Sequence, residues 1–400
     1  MNESTSFVVP AGFRAAAVKS GIKPSGGLDL AVFAADRTCV AAGTFTLNRV
    51  AAAPVQWCRS LLPSDRIRAV VVNAGNANAA TGEQGLANVG RTADAVARLL
   101  GCPGSDEVLV SSTGVIGRQL PIERMESSLP DAIATLDSSV ATFDAASRAI
   151  MTTDTRPKVV SQTLETSHGP RTVLGVAKGA AMIGPNMATM LAFLFTDAAA
   201  GPGQLQGILG QAVDSSFNCI SVEGHTSTND TVLMLAQRDA ALNLKGHDLE
   251  RFGHTVKDVC TELARLIVDD GEGATHRITI DVEGCGSEAE AKAIAAAVAN
   301  SALVKTAIHG ADPNWGRIVS AAGYAGVPFD EPEMSLWLNG IALYQAGAPV
   351  PFDAAALSKD IRANRETSIR LAFTRGENRT RFWTCDLTAE FIRLNADYTT

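Results

Sequence analysis

The sequence has no CxxC pair, HExxH, GxSxG elbow, GxGxxG turn or P-loop. These absences remove the usual signatures of zinc sites, serine hydrolases and nucleotide-binding enzymes. Seven cysteines, at 39, 58, 102, 219, 260, 285 and 385, are odd in number and widely spaced. They form no disulfide framework, and a reducing, cytoplasmic setting is expected. The six histidines show neither metal-ligand spacing nor a partner nucleophile. Charged residues make up only 19 %, and no basic cluster offsets a net charge of −8. Nucleic acid is therefore not expected as a partner, because phosphate binding needs concentrated Lys and Arg. The N-terminal segment carries the acidic Glu3 and meets Pro10 before any long apolar run, unlike a secretory signal.

What is present is apolar mass. Apolar residues form 46 % of 400, enough for a large core and for two or three domains. Short apolar runs alternate with helical patterns, which indicates a mixed α/β protein. Strands are expected at 67–72, 107–110, 172–176, 190–195, 231–235 and 277–282. Helices are expected at 86–100, 204–215 and 288–300. The clearest helix starts near Asp248, a candidate N-cap, and stops near Gly271. Eighteen uncharged residues, 179–196, approach the length of a membrane span. Gly184, Pro185 and Asn186 break the run, so a tight loop leading into a buried strand fits better.

Chemistry concentrates around that loop. Thr189 heads the apolar strand, and a threonine there serves sheet propensity in most proteins. If the preceding bond breaks, Thr189 gains a free α-amine beside its hydroxyl. Base and nucleophile then come from one residue, and no histidine is needed. After the strand at 107–110 comes Ser111-Ser112-Thr113-Gly114, either an ordinary turn or a hydroxyl and an N–H aimed at a developing oxyanion. In 271–275, Glu272 stands between two glycines, as a solvated turn or as a carboxylate that receives an amine.

Taken together these segments resemble the ornithine acetyltransferase family, the bifunctional glutamate N-acetyltransferase/amino-acid acetyltransferases of arginine biosynthesis. FTLNRVAAAPV, VVNAGNANAATG, VSSTGVIGRQLP, MTTDTRPK, KGAAMIGPNMATML, SFNCISVEGHTSTNDT, DDGEGATH and VKTAIHGADPNWGRI carry the resemblance, which covers nearly the whole chain. It implies self-cleavage between Ala188 and Thr189, giving an alpha fragment 1–188 and a beta fragment 189–400. It implies an N-terminal-nucleophile-like αββα fold of layered helices and sheets. Within the beta fragment, 189–283 would complete the nucleophile-bearing core, and 284–400 would form a smaller C-terminal α/β domain. Thr189 matches the nucleophile, Thr113 and Gly114 the oxyanion pair, and Glu272 a catalytic carboxylate. Thr152, Lys178, Thr189, Glu272, Asn395 and Thr400 match substrate-binding positions.

The implied reaction is ping-pong acetyl transfer from N2-acetyl-L-ornithine to L-glutamate, and the resemblance leaves open acetyl-CoA as a second donor. No cofactor or metal is implied. A heterotetramer of two alpha and two beta fragments is. Lys178 would receive a substrate carboxylate, and a docked C-terminus would close the site. Ala181 and His225 depart from the common family pattern. The competing readings are a self-processing aminopeptidase or amidase of the same broad fold, and a non-enzymatic amino-acid-binding protein.

Overall fold

The structure, a computed structural model, describes residues 7–184, 190–239 and 242–397. Fifteen strands run in chain order as β1 Phe13–Val18, β2 Leu30–Phe45, β3 Ser64–Asn76, β4 Val108–Val115, β5 Lys158–Thr166, β6 Gly169–Lys178, β7 Leu191–Ala199, β8 Ile220–Ser221, β9 Thr231–Gln237, β10 Arg277–Cys285, β11 Met334–Leu338, β12 Ile341–Gln345, β13 Ala348–Pro349, β14 Glu366–Phe373 and β15 Asn378–Cys385. The helices are α1 Ala53–Leu61, α2 Gly82–Leu100, α3 Ile122–Ala134, α4 Val140–Ala149, α5 Pro202–Asp214, α6 Gly246–Asp269, α7 Glu288–Ala299, α8 Ala302–His309, α9 Trp315–Gly323, α10 Ala354–Ala363 and α11 Ala389–Asp397.

They form a layered α/β protein with two sheets. The first has the order β4-β3-β2-β9-β7-β6-β5, with β1 added on β2. The second has the order β13-β12-β11-β14-β10-β15-β8. β10 runs parallel to β14 and antiparallel to β15. The second sheet thus already includes residues 277–285, on the other side of the 283/284 division.

From Leu191 onward the uncharged run is a strand buried on both faces, as expected. Ala192, Leu194 and Ala198 of β7 enter one core, while Leu191, Phe193 and Phe195 enter the other. Such a run reads as continuously apolar because neither face meets water. Among the described residues no single helix is long and apolar enough to cross a membrane. The bent pair α7–α8 passes on length and composition, but Ile294, Ala295, Val298, Val304 and Ile308 belong to the core.

α6 presents Phe252, Val256, Val259, Cys260, Leu263 and Ile267 to that core, the expected apolar face. It starts two residues before Asp248, with Lys245 at the N-cap position and Asp248 inside the first turn. The Asp248 carboxylate instead accepts the Ser167 N–H at 2.8 Å. Gly175 on β6 explains how closely α6 approaches the sheet. A Cβ there would lie 2.6 Å from Leu263 Cδ1 and 2.8 Å from Val259 Cγ1.

Candidate active site

Strand ends assemble the site. Lys178, the last residue of β6, pairs with Leu191 at the start of β7, and Leu191 pairs with Thr231 at the start of β9. Polar side chains draw the end of β4 to the same place. Asn229, just before β9, donates through Nδ2 to the Ala77 and Ser112 carbonyls at 2.6 and 2.8 Å. Ser112 Oγ donates to Asn73 Oδ1 at 2.6 Å. The asparagine-rich segments of the sequence are therefore scaffolding.

Thr113 and Gly114 lie within β4 rather than in a turn after it. The expected sharp backbone is present all the same. Gly114 has a φ of +130°, and a Cβ on it would lie 2.4 Å from the Gly75 carbonyl carbon. No other residue fits that close pairing of β3 and β4.

Lys178 is buried, and its ammonium donates to Thr152 Oγ1 at 2.9 Å and Thr113 Oγ1 at 3.3 Å. An ammonium has donors only, so both hydroxyls must accept. The Thr113 proton is left free to point elsewhere. Burial pulls the Lys178 pKa down, opposed first by Asp154 and more weakly by Asp230 and Glu272. That influence places Glu272 within the electrostatic reach of Lys178.

A second layer holds this lysine, and it was not foreseen as functional. Asp154 accepts the Gly179 N–H at 2.6 Å and Lys158 Nζ at 2.7 Å, and its Oδ2 lies 4.0 Å from Lys178 Nζ. Lys158 also pairs with Asp270 at 2.6 Å, and Asp270 accepts both the hydroxyl and the N–H of Thr155. Burial alone would raise the Asp154 pKa. Lys178, Lys158 and the Gly179 N–H outweigh it and hold the carboxyl well below the usual carboxylate range.

Glu272 follows α6 in the loop that its flanking glycines suggested. Its N–H donates to the Ala180 carbonyl at 2.9 Å, and its Oε2 accepts Asn395 Nδ2 at 2.9 Å. Gly273 lets α11 settle on this loop, because a Cβ there would lie 2.6 Å from the Phe391 N. The C-terminal segment is docked over the described residues, as expected. Thr113, Thr152 and Lys178 thus meet directly, Gly114 follows Thr113 on β4, and Glu272 meets Asn395. Ala188, Thr189 and Thr400 lie outside the described residues.

Ile183 and Met190, on either side of the undescribed residues, are both held by hydrogen bonds. The Ile183 carbonyl accepts the N–H groups of Val222, Glu223 and Gly224 at 2.8, 3.2 and 3.1 Å. Asp230 accepts the Met190 N–H at 3.1 Å and the Ser227 N–H at 3.2 Å, and burial pushes its carboxyl up to about 8. Burial likewise pushes Glu223 up to about 7. Of the two departures, Ala181 is half-buried and His225 is exposed. A cavity of about 680 Å³ opens beside the site, with Gly114 and Thr152 in its wall beside Lys23, Arg118 and Arg124. The Lys23 ammonium already donates to the Leu28 and Ala149 carbonyls at 2.7 and 3.0 Å, so Arg118 and Arg124 are the cations that suit a ligand carrying carboxylates.

A polarised hydroxyl, a strained glycine and a buried ammonium, with a carboxylate facing them, define an enzyme that transfers acyl groups. A model of the ArgJ family matches residues 14–400. The chain is 42 % identical over 401 residues to the arginine biosynthesis bifunctional protein ArgJ of Rhodopirellula baltica, covering 99 % of this chain and 98 % of that protein. It is 44 % identical over 407 residues to the protein of the same name from Thermosynechococcus vestitus, covering 97 % and 96 %. A crystal structure of the Bacillus halodurans ArgJ protein superposes with a TM-score of 0.49 at 35 % identity, covering 52 % of this chain and 98 % of that one. The chain belongs to the ArgJ family, and it is an acyltransferase of arginine biosynthesis. Its layered α/β fold is the N-terminal-nucleophile-like kind that the resemblance implied.

Proposed function

We propose that the chain cleaves itself between Ala188 and Thr189 and then carries an acetyl group on the Thr189 hydroxyl. The freed α-amine takes the hydroxyl proton as Oγ attacks the acetyl carbonyl of N2-acetyl-L-ornithine. The amide C–N bond breaks, the proton passes to the leaving nitrogen, and L-ornithine departs from an acetyl-threonine ester. The amine of L-glutamate then attacks the ester, giving N-acetylglutamate and the free threonine. In both halves the Thr113 hydroxyl and the Gly114 N–H receive the oxyanion. Lys178 acts through Thr113 and Thr152 rather than as an open carboxylate receptor, since two of its donors are already engaged. The cationic cavity wall receives the substrate carboxylates, Glu272 receives an amine, and Asn395 with Thr400 closes the site.

The observation that carries this reading is the Lys178–Thr113 contact of 3.3 Å, which turns the threonine proton outward. A covalent intermediate suits the task, because an amide is a poor acyl donor and two steps divide its barrier. Acetyl-CoA is a second donor to the same threonine. The working assembly is a cytoplasmic heterotetramer of two 1–188 and two 189–400 fragments.

Intact mass of the purified chain should show fragments of 188 and 212 residues, and Thr189→Ala should remain one chain without activity. Incubation with N2-acetyl-L-ornithine should release no more than one ornithine per site without glutamate, and further ornithine only in step with acetylation of glutamate. Release into water without glutamate would instead support the amidase reading. Acetyl-CoA assayed in parallel tests the second donor.

A further inference from the structure

Two histidines read as unrelated in the sequence meet at one carboxylate. Asp386 follows β15, His309 ends α8, and Thr275 with His276 closes the loop that carries Glu272. Asp386 Oδ1 accepts the N–H groups of Thr275 and His276 at 2.8 and 2.9 Å. Its Oδ2 faces His309 Nδ1 at 3.0 Å, His276 Nδ1 at 3.2 Å and the Thr275 hydroxyl. The Asp386 side chain is fully buried, while His276 is 12 % and His309 42 % exposed.

Three possible ligand atoms converge on one point. His276 Nε2 lies 3.2 Å from the Ile361 carbonyl, which only accepts, so a hydrogen bond holds the far nitrogen of the ring. Nδ1 is the ring nitrogen turned toward Asp386 Oδ2. Thr275 Oγ1 lies 2.9 Å from the same Nδ1 and also faces Oδ2, but it has one proton to give. The centre is one carboxylate oxygen and two imidazole nitrogens within 4.8 Å of one another.

We propose that His276, His309 and Asp386 bind a divalent first-row metal ion, with Zn²⁺ the best match. Two imidazoles and one carboxylate are a set that zinc accepts, whereas Mg²⁺ and Ca²⁺ prefer oxygen alone. The Ile361 carbonyl holds the His276 ring by its far nitrogen, the outer contact that orients metal-bound histidines. The exposed side of His309 gives the ion an entry path. The same ion pins the Glu272 loop to α8 and to the segment leading into α11, so it braces the acyl-transfer site from outside.

The test uses the full chain, stripped with a chelator and titrated with Zn²⁺ by calorimetry, with metal content read by mass spectrometry. The expected result is one zinc per chain. His309→Ala lies at a half-exposed helix end and should keep the wild-type circular dichroism while losing at least about tenfold in affinity. Co²⁺ should give the visible bands of a low-coordinate nitrogen–oxygen site in the wild type and lose them in the variant. Absence of a one-to-one zinc site, or equal zinc affinity in the wild type and His309→Ala, would overturn the proposal.

Discussion

Two charged groupings border the acyl-transfer site, and they are built in opposite ways. On the β5–β6 side, Asp154, Lys158, Lys178 and Asp270 have side chains that are 0–3 % exposed. Every one of them has at least two polar partners. On the C-terminal side, Glu272 meets Asn395 through a single exposed contact of 2.9 Å from a helix with no buried residue. The first grouping is preorganised, because charges kept from water hold their geometry only when fully paired. The second is a closure that solvent competes for. Catalysis needs the first to stay fixed, since oxyanion donors act best when no reorganisation is required. The second is not held by burial.

The largest effect should come from breaking the fixed side. Lys158→Met leaves Asp270 without its cation and Asp154 with only the more distant Lys178. Removing one partner of a buried pair costs about 3–5 kcal/mol, to be read from the denaturant midpoint. A loss below ~1 kcal/mol would mean that water reaches the cluster and that the two sides are not different in kind.

Next in size is Thr113→Ala. It should lower kcat by about 10²–10³-fold, the cost of one oxyanion donor, with KM nearly unchanged. Thr113→Ser keeps the hydroxyl that Lys178 orients and should recover most of the rate. Equal losses in both variants would assign Thr113 to packing.

These contrasts also explain what the sequence disclosed. Thr113, Gly114 and Glu272 stood out as candidates because each sits in a short segment whose residue types suit the chemistry, whereas Thr152, Lys178 and Asn395 entered only through the family resemblance. Asp154, Lys158 and Asp270 did neither, although MTTDTRPK and DDGEGATH contain all three. Their meaning lies in pairing across 112 residues, and no local pattern reports that. Asp230 was hidden for the same reason, since its partner Met190 is 40 residues away. Apolar periodicity identified α6 and β7 because burial dictates it, while the start of α6 was misplaced because the Asp248 carboxylate caps a neighbouring loop instead. His276 and His309 looked unrelated because 33 residues and two helices separate them.

The smallest effect tests the exposed side. Asn395→Ala removes one exposed hydrogen bond to Glu272 and leaves that carboxylate free to take water. An exposed contact of this kind is worth about 1 kcal/mol or less, so KM should rise by no more than about fivefold. The melting temperature should not move, because α11 buries no side chain. Asn395→Asp keeps the size but sets a like charge beside Glu272, and it should raise KM further while leaving kcat alone. If either variant instead lowered kcat with KM constant, the Glu272–Asn395 contact would have to persist through the transition state. The C-terminal side would then belong to the fixed machinery, and the division between a rigid wall and an exposed one would fall.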